Sequence, residues 1–177
     1  MSTEIVFETH SWSEDNDRGV ATGWLPGRLS AGGRELAAEL GVRRRDDRLA
    51  VVLCSDLRRA AETAEIAFCG TDVPVLRDWR LRECDYGRLN GHPAAEVQEH
   101  RETRLDVPYP GGESWRQAVT RAGGVLPDIA GRWDGRRVLI IGHVATRWAL
   151  DHMIDGVPLE ELSRADFGWR EGWEYQL

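Results

Sequence analysis

Three short apolar runs constrain how this chain can fold. They cover residues 5–7, 49–54 and 137–142, and a polar cluster follows each of them. Runs of this length that end at polar residues predict buried β-strands. Segments with helical periodicity lie between them, and strands that alternate with helices build a partly parallel sheet. The sequence therefore predicts an α/β fold, a three-layer α/β/α sandwich with a mostly parallel sheet, as a single domain over residues 1–177.

Helix-capping residues, glycine and proline predict the remaining helices, turns and strands of the N-terminal half. Ser30 predicts the start of a helix whose residues Leu36, Ala37 and Leu40 face inward, with Gly41 as its stop. Residues 43–48 are predicted to form a charged, solvated turn. Ser55 and Asp56 are expected to cap the next helix. Residues 73–76 predict a third strand, which Pro74 places at an edge of the sheet.

The C-terminal half predicts a long helix, a strand and a hairpin. The helix should run from Ser114 to beyond Ile129, and a further helix should follow the strand at residues 137–142 as far as Met153. The tail alternates large apolar and polar residues from Phe167 to Leu177, a pattern typical of a half-buried hairpin with core aromatic residues.

Composition excludes several function classes. The net charge is −7, which argues against general nucleic-acid binding. All 23 basic residues are arginine, so a Schiff-base lysine and a P-loop lysine are excluded and arginine must recognise any phosphate. The three cysteines lack a zinc-binding spacing, and no apolar run is long enough for a membrane span. The N-terminus lacks the features of a signal peptide, which predicts a cytoplasmic location.

Four side chains form a candidate site. His10 and His143 follow two apolar strands, Arg59 lies near a helix start, and Glu83 lies in an irregular segment. Ligands of open α/β sheets bind beyond the carboxyl ends of the strands. A strand followed by a polar turn and a helix N-terminus also favours an anion. We therefore expect these side chains to converge around His10.

The order and spacing of five motifs resemble the histidine phosphatase superfamily, also called the phosphoglycerate mutase-like family. The first motif is Thr-His-Ser at residues 9–11, with Asn16 six positions past the histidine. The others are Gly23-Trp24 with the Leu-Ser of residues 29–30, the Ser-Asp-Leu-Arg-Arg-Ala of residues 55–60, the Leu-Arg-Glu of residues 81–83, and Gly142-His143. Each motif is weak alone, and together they cover most of the chain.

The resemblance implies a role for each matching residue. His10 would be the nucleophile that forms a phosphohistidine, Glu83 the general acid and base, and His143 a stabiliser of phosphoryl charge. The phosphate-binding groups would be Arg59, Asn16, Thr9, Thr22, Gly23 and the backbone N–H of Val144. Neither a metal nor another cofactor is implied.

Two departures from the family pattern affect the phosphate site. Thr9 stands where the family has arginine, which removes a permanent charge and a bidentate donor. Val144 and Ala145 follow His143, where the family usually has Gly-Gly or Gly-Asn. We hypothesise that Arg18, Arg28 or Arg147 replaces the lost charge.

The expected activity is a metal-independent phosphatase that acts on a small phosphorylated metabolite. The sequence around Thr22 also suits a phosphoglycerate mutase-type phosphotransferase. The loss of arginine at position 9 fits a non-catalytic descendant that binds an anion or a protein, and the altered histidine flanks fit non-phosphoryl chemistry. The expected partner is the small substrate, without nucleic acid or membrane. The oligomeric state is open, a homodimer included.

Overall fold

A five-stranded sheet forms the centre of the protein. A computed structural model describes residues 2–177, and Met1, the first residue of the predicted domain, lies outside the described residues. The strands are β1 (Glu4–Thr9), β2 (Leu49–Ser55), β3 (Val75–Asp78), β4 (Arg137–Gly142) and β5 (Trp173–Gln176). Their order is β3-β2-β4-β1-β5, with all neighbours parallel except β5, which pairs antiparallel with β1. The mostly parallel sheet is confirmed, and β3 lies at the predicted edge.

Helices cover both faces of the sheet. They are α1 (Glu14–Asp17), α2 (Ala31–Arg44), α3 (Arg58–Ala67), α4 (Ala94–Glu99), α5 (Trp115–Gly123), α6 (Leu126–Arg132), α7 (Val144–Met153) and α8 (Leu159–Arg164). Two short 3₁₀ helices span Trp79–Leu81 and Gly87–Leu89. Within residues 2–177, no helix has the length and apolar character needed to cross a membrane.

The alternation of side chains along the strands separates two apolar layers. Val6 and Val52 pack with α2 and α3 on one face, whereas Phe7 and Val51 pack with α6 on the other. Because successive side chains of a strand point to opposite faces, continuous apolar runs are needed when both faces are covered. The three-layer α/β/α arrangement is confirmed.

Several predicted boundaries were wrong. The helix α2 continues through Gly41 to Arg44. Gly41 does not end the helix but allows the close approach of α3, since an added Cβ would lie 2.2 Å from the carbonyl oxygen of Ala67. The predicted cap at Ser55 is displaced, since α3 begins at Arg58 with Leu57 as its N-cap. Ser55 Oγ accepts the N–H of Leu57 instead, at 3.2 Å.

The C-terminal elements also differ from the prediction. The long helix is interrupted at Gly124, which ends α5, and α6 begins with Pro127 in its first turn. The expected hairpin is a single strand, β5, in which Trp173 and Tyr175 are buried. Gly168 and Gly172 adopt φ values of +53° and +85°, and this left-handed backbone interrupts the extended conformation.

Candidate active site

The two histidines lie side by side at the carboxyl ends of neighbouring parallel strands. His10 follows β1 and His143 follows β4, and the N–H of His10 donates to the carbonyl of Gly142 at 3.0 Å. The centroids of the two imidazole rings are 5.0 Å apart. The predicted convergence of these two side chains therefore follows directly from the pairing of β1 with β4.

The ring of His10 presents one nitrogen as a nucleophile. Its Nδ1 lies 2.7 Å from the carbonyl oxygen of Ser11, a distance that assigns the hydrogen to Nδ1 and leaves the lone pair on Nε2. Burial and the Arg59 guanidinium lower the pKa of His10 to about 3, against the opposing effect of the Ser11 hydrogen bond. The imidazole is therefore neutral at physiological pH, as nucleophilic attack requires.

Arg59 connects both rings from the first turn of α3. Its Nε lies 3.3 Å from His10 Nε2, and its Nη2 lies 3.0 Å from the carbonyl oxygen of Gly23 and 3.2 Å from His143 Nδ1. The side chain is buried, and its Nη1 has no hydrogen-bond partner among residues 2–177. A buried guanidinium nitrogen without an acceptor marks a place where an anion would bind favourably.

His143 supplies a second unsatisfied group. It is the N-cap residue of α7 and is buried, and its Nδ1 faces Arg59. Because Arg59 is a donor, the hydrogen of the neutral ring belongs on Nε2, which has no acceptor in the described part of the chain. Burial, followed by the charges of Arg59 and of His10, lowers the pKa of His143 well below its ordinary value.

Glu83 is held against the N-terminus of α7. Its Oε1 accepts the N–H groups of Cys84 at 2.9 Å and Ala145 at 3.0 Å, and its Oε2 lies 3.3 Å from the backbone N of Val144. The Glu83 carbonyl in turn accepts the indole N–H of Trp24 at 2.7 Å. Glu83 and His143, which the sequence motifs placed in one candidate site, both line the same cavity.

The other predicted phosphate ligands divide into two groups. Thr9, Asn16 and Val144 line the cavity with His10. Asn16 uses its Oδ1 to accept the N–H of Ser13 at 2.9 Å, in the capping box of α1, which leaves its amide nitrogen as the available donor.

Thr22 and Gly23 lie outside the cavity lining. The hydroxyl of Thr22 donates to Asp15 at 2.7 Å. Gly23 has a φ of +55°, and an added Cβ would lie 1.8 Å from Asn90 Oδ1. Its contribution to the site is the carbonyl that orients Arg59.

None of the three arginines expected to replace the missing charge lines the cavity. Arg18 pairs with Asp15 and Arg28 with Glu14, while Arg147 lies 3.1 Å from Asp151 and packs over the ring of Trp173. Each of these cations is therefore committed to another contact.

The arginine that does line the cavity is Arg43, which the sequence had assigned to a solvated turn. It belongs to α2, and its Nη2 lies 3.2 Å from Oε2 of the buried Glu8. Arg44 binds the same carboxylate at 2.7 Å. The signal that could have found this cluster is a carboxylate inside an apolar strand, since a buried charge requires a partner.

The cavity has a volume of about 560 Å³ and extends from the two imidazoles to α2 and to the segment before β5. Within residues 2–177, no group of three or more His, Cys, Asp or Glu side chains is arranged to hold a metal ion. The fold and the site define an α/β protein in which two imidazoles and one guanidinium meet at the carboxyl ends of the parallel strands.

Comparison with known proteins identifies the class further. The sequence model described as "Histidine phosphatase superfamily (branch 1)" matches residues 5–169. The chain therefore belongs to the histidine phosphatase superfamily, as its motifs indicated.

Two curated relatives are phosphoglycerate mutases. The 2,3-bisphosphoglycerate-dependent phosphoglycerate mutase of Methylobacterium sp. (strain 4-46) is 33% identical over 180 residues, which cover 92% of this chain and 85% of the relative. Phosphoglycerate mutase 1 of Saccharomyces cerevisiae is 39% identical over 99 residues. That match covers 53% of this chain and 40% of the yeast protein.

Solved structures share the fold over nearly the whole chain. Bacillus stearothermophilus YhfR superposes with a TM-score of 0.84 at 27% identity, covering 97% of this chain and 90% of that one. The mycobacterial glucosyl-3-phosphoglycerate phosphatase superposes with a TM-score of 0.81 at 24% identity, covering 92% and 87%. The phosphoglycerate mutase-like fold is thus confirmed.

Proposed function

We propose that this protein is a metal-independent phosphatase that hydrolyses a small phosphorylated metabolite through a phosphohistidine on His10. One observation carries the proposal. The neutral Nε2 of His10 lies 3.3 Å from Nε of Arg59, and the ring centroids of His10 and His143 are 5.0 Å apart. Among residues 2–177, Nη1 of Arg59 and Nε2 of His143 are buried and have no acceptor. A phosphoryl group at this point would satisfy both donors while its phosphorus faces the nucleophile.

The first half-reaction transfers the phosphoryl group to the protein. His10 Nε2 attacks phosphorus, an N–P bond forms and the bond from phosphorus to the ester oxygen breaks. The leaving oxygen takes a proton from the carboxyl group of Glu83, and the alcohol departs. Arg59 and His143 bind the non-bridging oxygens, whose charge is the main feature that a protein can stabilise in this reaction.

The second half-reaction regenerates the site. A water molecule attacks phosphorus, the N–P bond breaks, and Glu83 takes the proton of the water. Inorganic phosphate leaves and His10 returns to its neutral form. The amide of Asn16, the hydroxyl of Thr9 and the N–H of Val144 are the further donors that we propose for the phosphoryl oxygens.

Phosphoglycerate mutase chemistry is the alternative, favoured by the names of the curated relatives. It would use the same phosphohistidine but would return the phosphoryl group to a second substrate hydroxyl. The ratio of phosphate released to phosphoryl transferred, measured with an added acceptor alcohol, separates the two activities.

The test is a phosphate-release screen over sugar phosphates, phosphoglycerates and nucleotides, with His10→Ala beside wild type. His92→Ala is the matched control, because His92 is an exposed histidine that faces Glu96 outside the cavity. We expect His10→Ala to abolish turnover and His92→Ala to retain it. Equal turnover by wild type and His10→Ala would refute the proposal and would favour a non-catalytic anion-binding protein.

A further inference from the structure

Large apolar side chains that are exposed to solvent line one part of the cavity and form an apolar wall there. Trp12, Leu36 and Trp169 line the cavity, with 50%, 45% and 62% of their surfaces exposed. Leu40 and Phe167 complete this wall. Large apolar side chains grouped at the mouth of a cavity, rather than scattered singly, indicate the binding of an apolar group.

The charges around this wall are negative. Four carboxylates line the cavity, those of Glu8, Glu39, Glu83 and Glu171. Arg43 is the one arginine in that lining within residues 2–177, and it is paired with Glu8 at 3.2 Å and with Glu171 at 3.8 Å. Away from the two imidazoles, the described lining residues therefore offer no unpaired cation for a second phosphate or a carboxylate.

The aromatic residues of the wall narrow the class of ligand that would bind there. Trp12 and Trp169 line the cavity and are largely exposed. Phe167 lines it as well, and its ring packs against Trp173 with ring centroids 5.5 Å apart. Aromatic rings pack favourably against one another, beyond the benefit of buried area alone. A ring on the substrate would contact these side chains, whereas a short polar alcohol would leave them exposed to water.

We propose that this wall binds the alcohol part of the substrate, and that the substrate is the phosphate monoester of an uncharged alcohol bearing an aromatic ring. This inference rests on the proposed phosphatase function and names its substrate class. It also sets the site apart from one built for bisphosphoglycerate, whose additional negative charges would meet Glu39 and Glu171 rather than a free arginine.

The test uses esters of primary alcohols, so that the reactivity of the leaving group is closely matched. The set comprises 2-phenylethyl phosphate, ethyl phosphate, 3-phosphoglycerate and phosphocholine. We expect kcat/KM for the phenylethyl ester to exceed that for ethyl phosphate at least about tenfold, a ratio typical of an apolar pocket. A preference for ethyl phosphate, 3-phosphoglycerate or phosphocholine would overturn the inference and leave the phosphatase function standing.

A pair of variants tests whether this wall causes the preference for the phenylethyl ester. Trp169→Ala should lower the ratio of phenylethyl to ethyl turnover about tenfold, because the ring loses part of its wall. Trp79→Ala is the matched control, since Trp79 is 55% exposed and lies outside the cavity lining. An unchanged ratio in Trp169→Ala, or an equal loss in Trp79→Ala, would contradict the placement of the ring.

A binding measurement separates this inference from the proposed function. Titration calorimetry with 2-phenylethylphosphonate and ethylphosphonate needs no turnover. If wild type hydrolyses nothing beyond the level of His10→Ala, the phosphatase proposal fails. Tighter binding of the phenylethyl compound, by about tenfold, would still support an aromatic site. Equal binding of both phosphonates would reject it.

Discussion

Replacing Arg59 with methionine should leave the stability of the empty protein nearly unchanged while destroying the proposed anion site. Arg59 is 3% exposed, and its Nη1 has no acceptor among the described residues 2–177. Methionine has a similar length and no polar hydrogen to satisfy, so it fills the space without an unpaired charge.

Both effects have magnitudes that can be worked from these contacts. An unsatisfied buried polar group costs about 1–3 kcal/mol, and replacing buried charges by packed apolar groups is often neutral or stabilising. Arg59→Met also loses the hydrogen bonds from Arg59 to the Gly23 carbonyl, His10 Nε2 and His143 Nδ1, each worth about 1 kcal/mol, so we expect the free energy of unfolding to change by no more than about 1–2 kcal/mol. In wild type, phosphate at a hundredfold excess over its Kd should add about 2.7 kcal/mol.

The assay is thermal and urea unfolding with and without inorganic phosphate. For a chain of this size, Tm shifts by about 2–4 °C per kcal/mol, so phosphate should raise the wild-type Tm by about 5–10 °C. The Tm of Arg59→Met should lie within a few degrees of the wild-type Tm and should not respond to phosphate. Arg58→Met on the same helix is the control, because Arg58 is exposed and its loss should preserve the phosphate response. A variant that is markedly less stable, or that still responds to phosphate, would refute the reasoning.

Three further predictions test other parts of the site. The pKa of His10 is about 3 in the folded state, below its ordinary 6.5, so the unfolded chain takes up the proton first as pH falls. The share of stability due to His10 is nearly complete at about pH 7.5 and falls by up to about 1.4 kcal/mol as the pH drops through 6.5 to about pH 5.5. Urea titrations of wild type and His10→Asn at both pH values should show this difference, and parallel curves would contradict it. Glu83→Gln should slow hydrolysis of alkyl esters about a hundredfold but leave the burst with p-nitrophenyl phosphate nearly intact, because that leaving group needs no proton. Stopped-flow absorbance checks this, and equal losses for both esters would exclude an acid role. Thr9→Arg should tighten phosphate binding about tenfold by adding a charged donor beside His10, and calorimetry showing no gain would mean that the site needs no further cation.

The convergence of the candidate site residues could be predicted because it depends on the pairing of β1 with β4 and on where these two strands end. Two apolar runs that end in His10 and His143 form parallel strands, and parallel strands bring their carboxyl ends to one edge. Arg59 followed from the motif after β2. These positions depend on local sequence patterns and on a general rule of sheet architecture.

The cavity wall could not be predicted in the same way. Arg43 lies among other charged residues in a segment typical of a solvated surface, and its role depends on the burial of Glu8 thirty-five positions earlier. Leu36 fitted the inward face of α2 but is 45% exposed at the cavity. Trp169 matched a strand pattern that the left-handed conformations of Gly168 and Gly172 interrupt. Such contacts are set by tertiary packing, which the periodicity of one segment does not report.

The most direct test of a phosphohistidine mechanism is the capture of the intermediate. Wild type is mixed with ³²P-labelled substrate, quenched in alkali within milliseconds, digested and mapped. The account predicts an acid-labile, alkali-stable label on the peptide that contains His10, and its absence in His10→Ala. Turnover without any labelled histidine, or a label on His143 instead, would contradict it.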